Sequence, residues 1–154
     1  MLSVNEVQDK IIQEFGLFDD WLDKYDYLIG LSNDLPLIAE EYKTSQHLIE
    51  GCQSRVWLHG ELDGGKIRFT ADSDAIITKG IISLLIRVLS DREPSEIIGA
   101  DLYFIDRIGL KENLSPTRSN GLLAMLKQMK LYAVAYQALL NSKNHTNGKR
   151  FFTA

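Results

Sequence analysis

The chain contains very little cysteine. Cys52 is the only cysteine among 154 residues, so no disulfide can form within the chain and no CxxC redox pair exists. A structural zinc site needs about four ligands and an iron–sulfur cluster needs several thiolates. One cysteine and three histidines without metal-ligand spacing therefore predict a protein that carries no cofactor or metal. A single thiol also fits a reducing compartment, and we expect a cytoplasmic protein.

Long apolar runs and an excess of positive charge are absent as well. The most apolar stretch, residues 80–89, is interrupted by Arg87 and falls far short of the roughly 20 residues that a membrane span needs. Glu6 and Asp9 lie near the N-terminus, which is unlike a signal peptide. The formal net charge is -4, which does not favour binding to nucleic acid. We expect neither a membrane nor a nucleic acid as a partner.

The residues that are present predict one folded domain over residues 1–140. Apolar side chains recur at helical spacing before residue 30, and a longer apolar helix follows residue 75. Shorter helical pieces are predicted at 94–98 and 102–108, and Ser115-Pro116 is a typical start for a long final helix. We expect the polar tail, residues 141–154, to fray.

An antiparallel hairpin is predicted between these helices. Side chains alternate in character over residues 55–60 and again over residues 67–71, and Asp63-Gly64-Gly65 separates the two runs as a turn. Asp72-Ser73-Asp74 has the composition of a helix start. Gly80 lies inside the predicted central helix at a cost of about 1 kcal/mol relative to alanine, which predicts a close approach by another backbone. The fold class is therefore α+β, a small antiparallel sheet with helices packed against it.

Cys52 lies in a setting that differs from that of most lone cysteines, which are small buried apolar residues. Gly51 precedes it, Gln53 and Ser54 follow it, and a strand begins shortly afterwards. This pattern predicts a thiol at the edge of a loop, where access to solvent is possible and where donors for a thiolate or persulfide are near, but it does not decide whether the thiol is exposed or buried at rest. Thiol exchange with another protein's sulfur needs only one accessible nucleophile.

Three further residues are candidates for a contribution to the chemistry of this thiol. His47 or His59 could act as a general base, although a surface loop position and a strand position explain them more simply. Arg118 lies in the first turn of the last helix, where a cation opposes the helix dipole. It is either exposed or paired with an acid such as Asp72 or Asp74, or it faces a partner near the cysteine.

Several ordered motifs resemble the SufE family of cysteine-desulfuration proteins. They are Gly51-Cys52-Gln53-Ser54-Arg55-Val56-Trp57, then Asp72-Ser73-Asp74-Ala75, then Lys79-Gly80, then Leu114-Ser115-Pro116-Thr117-Arg118-Ser119 with Gly121. They follow the order and spacing of the family. The resemblance implies an α+β fold similar to that of the scaffold protein IscU.

The resemblance also implies a function in sulfur transfer. A pyridoxal-phosphate cysteine desulfurase of the SufS type would hold a persulfide, and Cys52 would accept its outer sulfur and pass it to a SufBCD-like complex that assembles iron–sulfur clusters. The protein would stimulate its desulfurase by clearing that persulfide. Residues implied by the family motifs are the loop residues Gly51, Gln53 and Ser54 and the candidate desulfurase-facing residues Asp74 and Arg118.

Several alternatives stay open at this point. A CsdE-like protein would serve a CsdA-like desulfurase and another acceptor. A non-catalytic adaptor would bind the desulfurase without using Cys52. A cluster scaffold is disfavoured because one thiol per chain would require a dimer to share the cluster. The chain is expected to be a monomer or a homodimer.

Overall fold

The computed structural model describes the backbone of residues 1–153 and the side chains of residues 1–143. Helices pack against a two-stranded antiparallel hairpin, which confirms the predicted α+β class. Short 3-10 turns lie in the connections, at Ser32–Asp34, Glu40–Tyr42, Ser45–His47 and Lys111–Asn113. The main elements in chain order are α1 Val4–Phe15, α2 Trp21–Leu31, β1 Val56–Asp63, β2 Lys66–Ser73, α3 Ile76–Leu89, α4 Pro94–Gly99, α5 Phe104–Arg107 and α6 Pro116–Thr153.

The hairpin forms where the sequence predicts it. Strand β1 pairs with β2 from Val56 opposite Ser73 to Asp63 opposite Lys66. Gly64 and Gly65 make the turn with φ values of 58° and 82°, a conformation that glycine adopts without strain. The inward-facing side chains are buried against the helices, and the outward-facing side chains of β1 are partly exposed.

The start of helix α3 differs from the prediction. Asp72 and Ser73 belong to strand β2, and the helix begins at Ile76. Ser73 pairs with Val56 and is buried, so the strand ladder retains it. Ala75 occupies the N-cap position without a side-chain hydrogen bond to the helix. The predicted capping by the acids and Ser73 is therefore wrong, because strand pairing continues for two residues further than the sequence pattern indicates.

Helix α3 is the central buried helix, as predicted. It packs against α2, and a Cβ atom added at Gly80 would overlap the carbonyl oxygen of Leu28. This close approach confirms the reason expected for a glycine inside a helix. The core that surrounds α3 draws on buried residues from Val7 to Ala133.

The segment before the cysteine lies across the outer face of the hairpin. The ring of Tyr42 stacks on that of His59 at 3.9 Å, and the Nδ1 atom of His59 lies 3.2 Å from the Nε2 atom of His47. Lys43 pairs with Asp72 at 2.8 Å. These contacts attach the segment to the hairpin immediately before the chain enters the Cys52 loop.

Two expectations concern the outer parts of the chain. None of the helices in the described part of the chain combines the length and apolarity of a membrane span. The tail that we expect to fray, residues 141–154, lies largely outside the described side chains, so its fraying stays a prediction.

Replacing Gly80 with alanine should destabilise the protein by about 3 kcal/mol, because the added methyl group must push α2 and α3 apart. Chemical denaturation measures the change. Gly30→Ala is the matched control, since Gly30 also lies in a helix and nothing lies within 4 Å of its Cβ position. We expect that variant to be as stable as the wild type or slightly more stable. Equal stability of the two variants would contradict the close contact.

Stability should fall as the pH falls below about 6.5, and His59 should contribute to this loss. Burial, and next the neighbouring His47, lower the pKa of His59 below its usual value of 6.5. Its Nε2 atom is also buried without a hydrogen-bond partner among the described residues. The unfolded chain therefore binds a proton that the native His59 resists, so lowering the pH favours unfolding.

The variant His59→Phe keeps an aromatic ring for Tyr42 but cannot titrate. We expect its melting temperature to fall less than that of the wild type between about pH 7.5 and about pH 5.5. Thermal unfolding followed by circular dichroism measures both. An equal fall in the two proteins would show that His59 does not carry this pH dependence.

Candidate functional site

Cys52 lies in the loop that connects residue 49 to the start of strand β1. Leu48 forms an antiparallel bridge with Trp57, and the Ile49 N–H donates to the Val56 carbonyl at 2.9 Å. The residues just before the loop, Leu48 and Ile49, are thus bonded to the start of β1, which directly follows the loop. Cys52 is a half-buried free thiol, at the loop position that the sequence predicts.

Asp74 holds the far end of this loop. Its Oδ1 atom accepts a hydrogen bond from the Arg55 N–H at 3.1 Å, and its own N–H donates to the Arg55 carbonyl at 3.3 Å. The side chain is otherwise exposed. Asp74, which the sequence motifs made a candidate for a partner-facing surface, thus positions the loop in this structure.

The sulfur atom points toward helix α6. The Cys52 Sγ donates to the Gly121 carbonyl at 3.6 Å, and a Cβ atom at Gly121 would lie 3.5 Å from Sγ. Gly51 has a φ of 91°, and a Cβ atom there would lie 3.3 Å from the Cβ of Ala124. Glycines on both sides of this contact therefore allow the loop to lie directly on the helix.

A cavity of about 210 Å³ opens beside the sulfur. It is enclosed by the Cys52 loop, the first two turns of α3 and the N-terminal turns of α6, which are distant in sequence. Its lining residues are Cys52, Gln53 and Ser54 of the loop, Thr78 and Ile81 of α3, and Ser115, Thr117, Arg118, Gly121 and Met125 at the start of α6.

Arg118 therefore lies in the same cavity as Cys52. It forms no ion pair with an acid in the part of the chain whose side chains are described, and Asp72 is held by Lys43 at 2.8 Å and by Lys79 at 3.3 Å. Of the alternatives left open by the sequence, pairing of Arg118 with Asp72 or Asp74 is not formed among the described residues, and the side chain is exposed. The arginine is exposed at the rim of the cavity, where its charge faces whatever approaches the thiol.

The environment of the sulfur favours the neutral thiol. Burial raises the pKa of Cys52 above its usual value. At neutral pH the residue is protonated, which agrees with its role as a donor to the Gly121 carbonyl. This conformation shields the thiol, and a thiolate would form more readily if the loop moved outward into water.

The two histidines do not contribute to the cavity. His47 and His59 contact each other and Tyr42 on the outer face of the hairpin, and neither lines the space beside Cys52. Sequence reasoning also overlooked Thr78, which lines the cavity and is 4% exposed. The signal available in the sequence was a single hydroxyl within the apolar run that opens α3.

The fold and the site together define a class of protein, an α+β domain that holds one half-buried cysteine beside a small cavity between two helix starts. Among the described residues no group of three or more histidines, cysteines or acids is arranged to hold a metal ion. Comparison with known proteins identifies the family within that class.

The chain belongs to the SufE family. The family model described as SufE, the Fe-S metabolism associated domain, matches residues 9–133. An uncharacterized SufE-like protein of Rhizobium etli is 41% identical over 127 residues, which cover 79% of this chain and 86% of the relative. A SufE-like protein of Synechocystis is 34% identical over 128 residues, covering 83% of this chain and 80% of the relative.

A solved structure supports the fold independently. The solution structure of a hypothetical protein from Thermus thermophilus superposes with a TM-score of 0.71 at 20% identity. The match covers 86% of this chain and 96% of the other. The family resemblance that the sequence motifs indicated is thus confirmed, together with the fold class.

Removing the Asp74 carboxylate should expose Cys52. The Arg55 N–H would lose its acceptor at the end of the loop. Loss of one hydrogen bond, about 1 kcal/mol, should raise the fraction of outward loop conformations about fivefold. We expect Asp74→Ala to be alkylated by iodoacetamide about fivefold faster than the wild type at neutral pH. Asp19→Ala, a change of an exposed acid in another loop, is the control. Equal rates for Asp74→Ala and the wild type would contradict this role.

Proposed function

We propose that this protein accepts sulfur on Cys52 from the persulfide of a SufS-like cysteine desulfurase and delivers it to a SufBCD-like assembly of iron–sulfur clusters. The observation that carries the proposal is a single free thiol beside a cavity of about 210 Å³ in a chain of the SufE family. A water molecule occupies about 30 Å³ in the liquid, so the cavity has room for an added sulfur atom. By clearing the enzyme's persulfide, the protein would stimulate the desulfurase.

The transfer is a thiol exchange that needs no cofactor on this chain. Cys52 loses its proton, and the thiolate attacks the terminal sulfur of the desulfurase persulfide. A bond forms between Sγ and that sulfur, while the sulfur–sulfur bond in the enzyme breaks. The enzyme cysteine leaves as a thiolate and takes up a proton. One persulfide is consumed and one is formed, so the exchange involves no net oxidation.

Cys52 must turn outward for this attack, because its sulfur points toward Gly121 in the resting conformation. Gly51 is the residue best suited to permit that motion, since its φ of 91° lies in a region that other residues rarely adopt. Gln53 and Ser54 line the cavity and would shape the loop in both conformations. Water-exposed Cys52 would also have a lower pKa than the buried thiol, so outward movement of the loop would favour the thiolate.

Asp74 and Arg118 would form part of the surface that meets the desulfurase. Both side chains are exposed, Asp74 bonds to the end of the Cys52 loop, and Arg118 lines the cavity beside the thiol. An exposed acid and an exposed cation beside the reacting atom can orient a partner that carries the complementary charges. Mutation of such charges chiefly alters the rate of association.

Intact-mass spectrometry tests the proposal directly. After incubation with a SufS-like desulfurase and L-cysteine, without reductant, we expect the chain to gain about one sulfur atom. Dithiothreitol should remove this mass, and Cys52→Ser should not acquire it. Absence of the added mass in wild-type protein beside an active desulfurase would contradict the proposed donor. A parallel incubation with a CsdA-like desulfurase distinguishes a CsdE-like function.

The same variant separates a carrier from an adaptor. If Cys52→Ser stimulates the desulfurase as fully as the wild type does, the protein acts by binding alone and the carrier proposal fails. We expect stimulation to be lost, because the enzyme's persulfide would have no acceptor thiol.

A further inference from the structure

Thr78 is a polar residue in the Cys52 cavity that the transfer described so far leaves unused. It lies in the first turn of α3, is 4% exposed and lines the cavity together with Cys52. Within residues 1–143 its hydroxyl has no hydrogen-bond partner. Its oxygen is not among the fully buried, unpartnered polar atoms of the described residues, so the hydroxyl is open to the space of the cavity. A hydroxyl at a cavity wall without a protein partner can donate a hydrogen bond to a group that enters the cavity.

The surroundings of Thr78 favour an anion. Helix α3 has 14 residues and begins at an N-cap, Ala75, that gives no side-chain hydrogen bond, so the amide groups of its first turn keep their partial positive charge. Arg118 brings a full positive charge from α6 to the same cavity. Of the residues that line the cavity, Cys52 and Arg118 are the ones that ionise, and the neighbouring Lys79 is paired with Asp72.

The thiol and the persulfide differ in what they need from this cavity. The thiol of Cys52 donates its hydrogen to the Gly121 carbonyl. In a persulfide the Sγ atom has no hydrogen, so this bond is lost. The added sulfur lies about 2 Å from Sγ, and it carries a negative charge at neutral pH because a persulfide is a stronger acid than the parent thiol. It needs a donor, and the Gly121 carbonyl cannot supply one.

We infer that the Thr78 hydroxyl donates a hydrogen bond to the terminal sulfur of the Cys52 persulfide anion. In the unloaded protein the Gly121 carbonyl accepts a hydrogen bond from the thiol, and in the loaded protein the Thr78 hydroxyl would donate one to the persulfide. This inference rests on the proposed function, because it assigns a ligand to the same site. Thr78 would stabilise the loaded state without any contact with the desulfurase.

The test loads Cys52 without a desulfurase. Inorganic polysulfide supplies the sulfur: the Cys52 thiolate takes one sulfur atom, and a polysulfide dianion shorter by one atom leaves. The near-ultraviolet absorbance of the persulfide anion is then followed against pH. Thr78→Val should lower the ratio of anion to protonated persulfide about tenfold at a given pH, since a hydrogen bond to a charged group is lost. Thr78→Ser, which keeps the hydroxyl, should titrate like the wild type.

Thermal unfolding of the unloaded variants distinguishes a ligand-binding hydroxyl from a structural one. We expect unloaded Thr78→Val to melt at the wild-type temperature or higher, because no protein hydrogen bond is removed. Thr70→Val, on the outer face of β2, is the control and should leave the persulfide titration unchanged. If Thr78→Val does not fold, Thr78→Ala takes its place with the same expected titration.

The outcomes separate this inference from the proposed function. Identical titration curves for wild type and Thr78→Val would overturn the inference, as would a failure of polysulfide to load wild-type Cys52. A tenfold change with polysulfide, combined with no sulfur accepted from any cysteine desulfurase, would support the anion site while refuting the proposed donor.

Discussion

The contact between the Cys52 loop and helix α6 is the constraint on which the site depends. The sulfur lies against the Gly121 carbonyl, and glycine at positions 51 and 121 allows the loop and the helix to come this close. The loop ends are held by strand bridges and by Asp74. The hairpin, α3 and α6 therefore hold the Cys52 loop in place. The cavity is the space that remains between this loop, α3 and the start of α6.

Burial protects the Cys52 thiol and at the same time makes it unreactive. It shields the sulfur from solvent and raises the pKa of Cys52, so the resting thiol is a poor nucleophile. The proposed sulfur transfer would use the shielded state between partners and the exposed state during the exchange. A loop that is anchored at both ends and contains a glycine with positive φ can alternate between the two states without rearrangement of the core.

Much of this organisation follows from local sequence. Alternation around Asp63-Gly64-Gly65 determines the hairpin, because side chains on a strand point to opposite faces and the two glycines permit the turn. The apolar character of α3 determines its central position, and Gly80 indicates that another backbone approaches it there. The ordered motifs from Gly51 to Gly121 indicate the family, and the family model that matches residues 9–133 confirms it.

Only the tertiary structure decided which distant side chains meet at the sulfur. Strand pairing carried Asp72 and Ser73 into β2 and left α3 to begin later, and the packing of α3 and α6 then brought Thr78 and Arg118 to one cavity. Periodicity in a sequence reports which face of an element is buried, but not which other element covers that face. The composition of the cavity therefore depends on long-range packing, whereas the position of the cysteine in a loop depends on its neighbours in the chain.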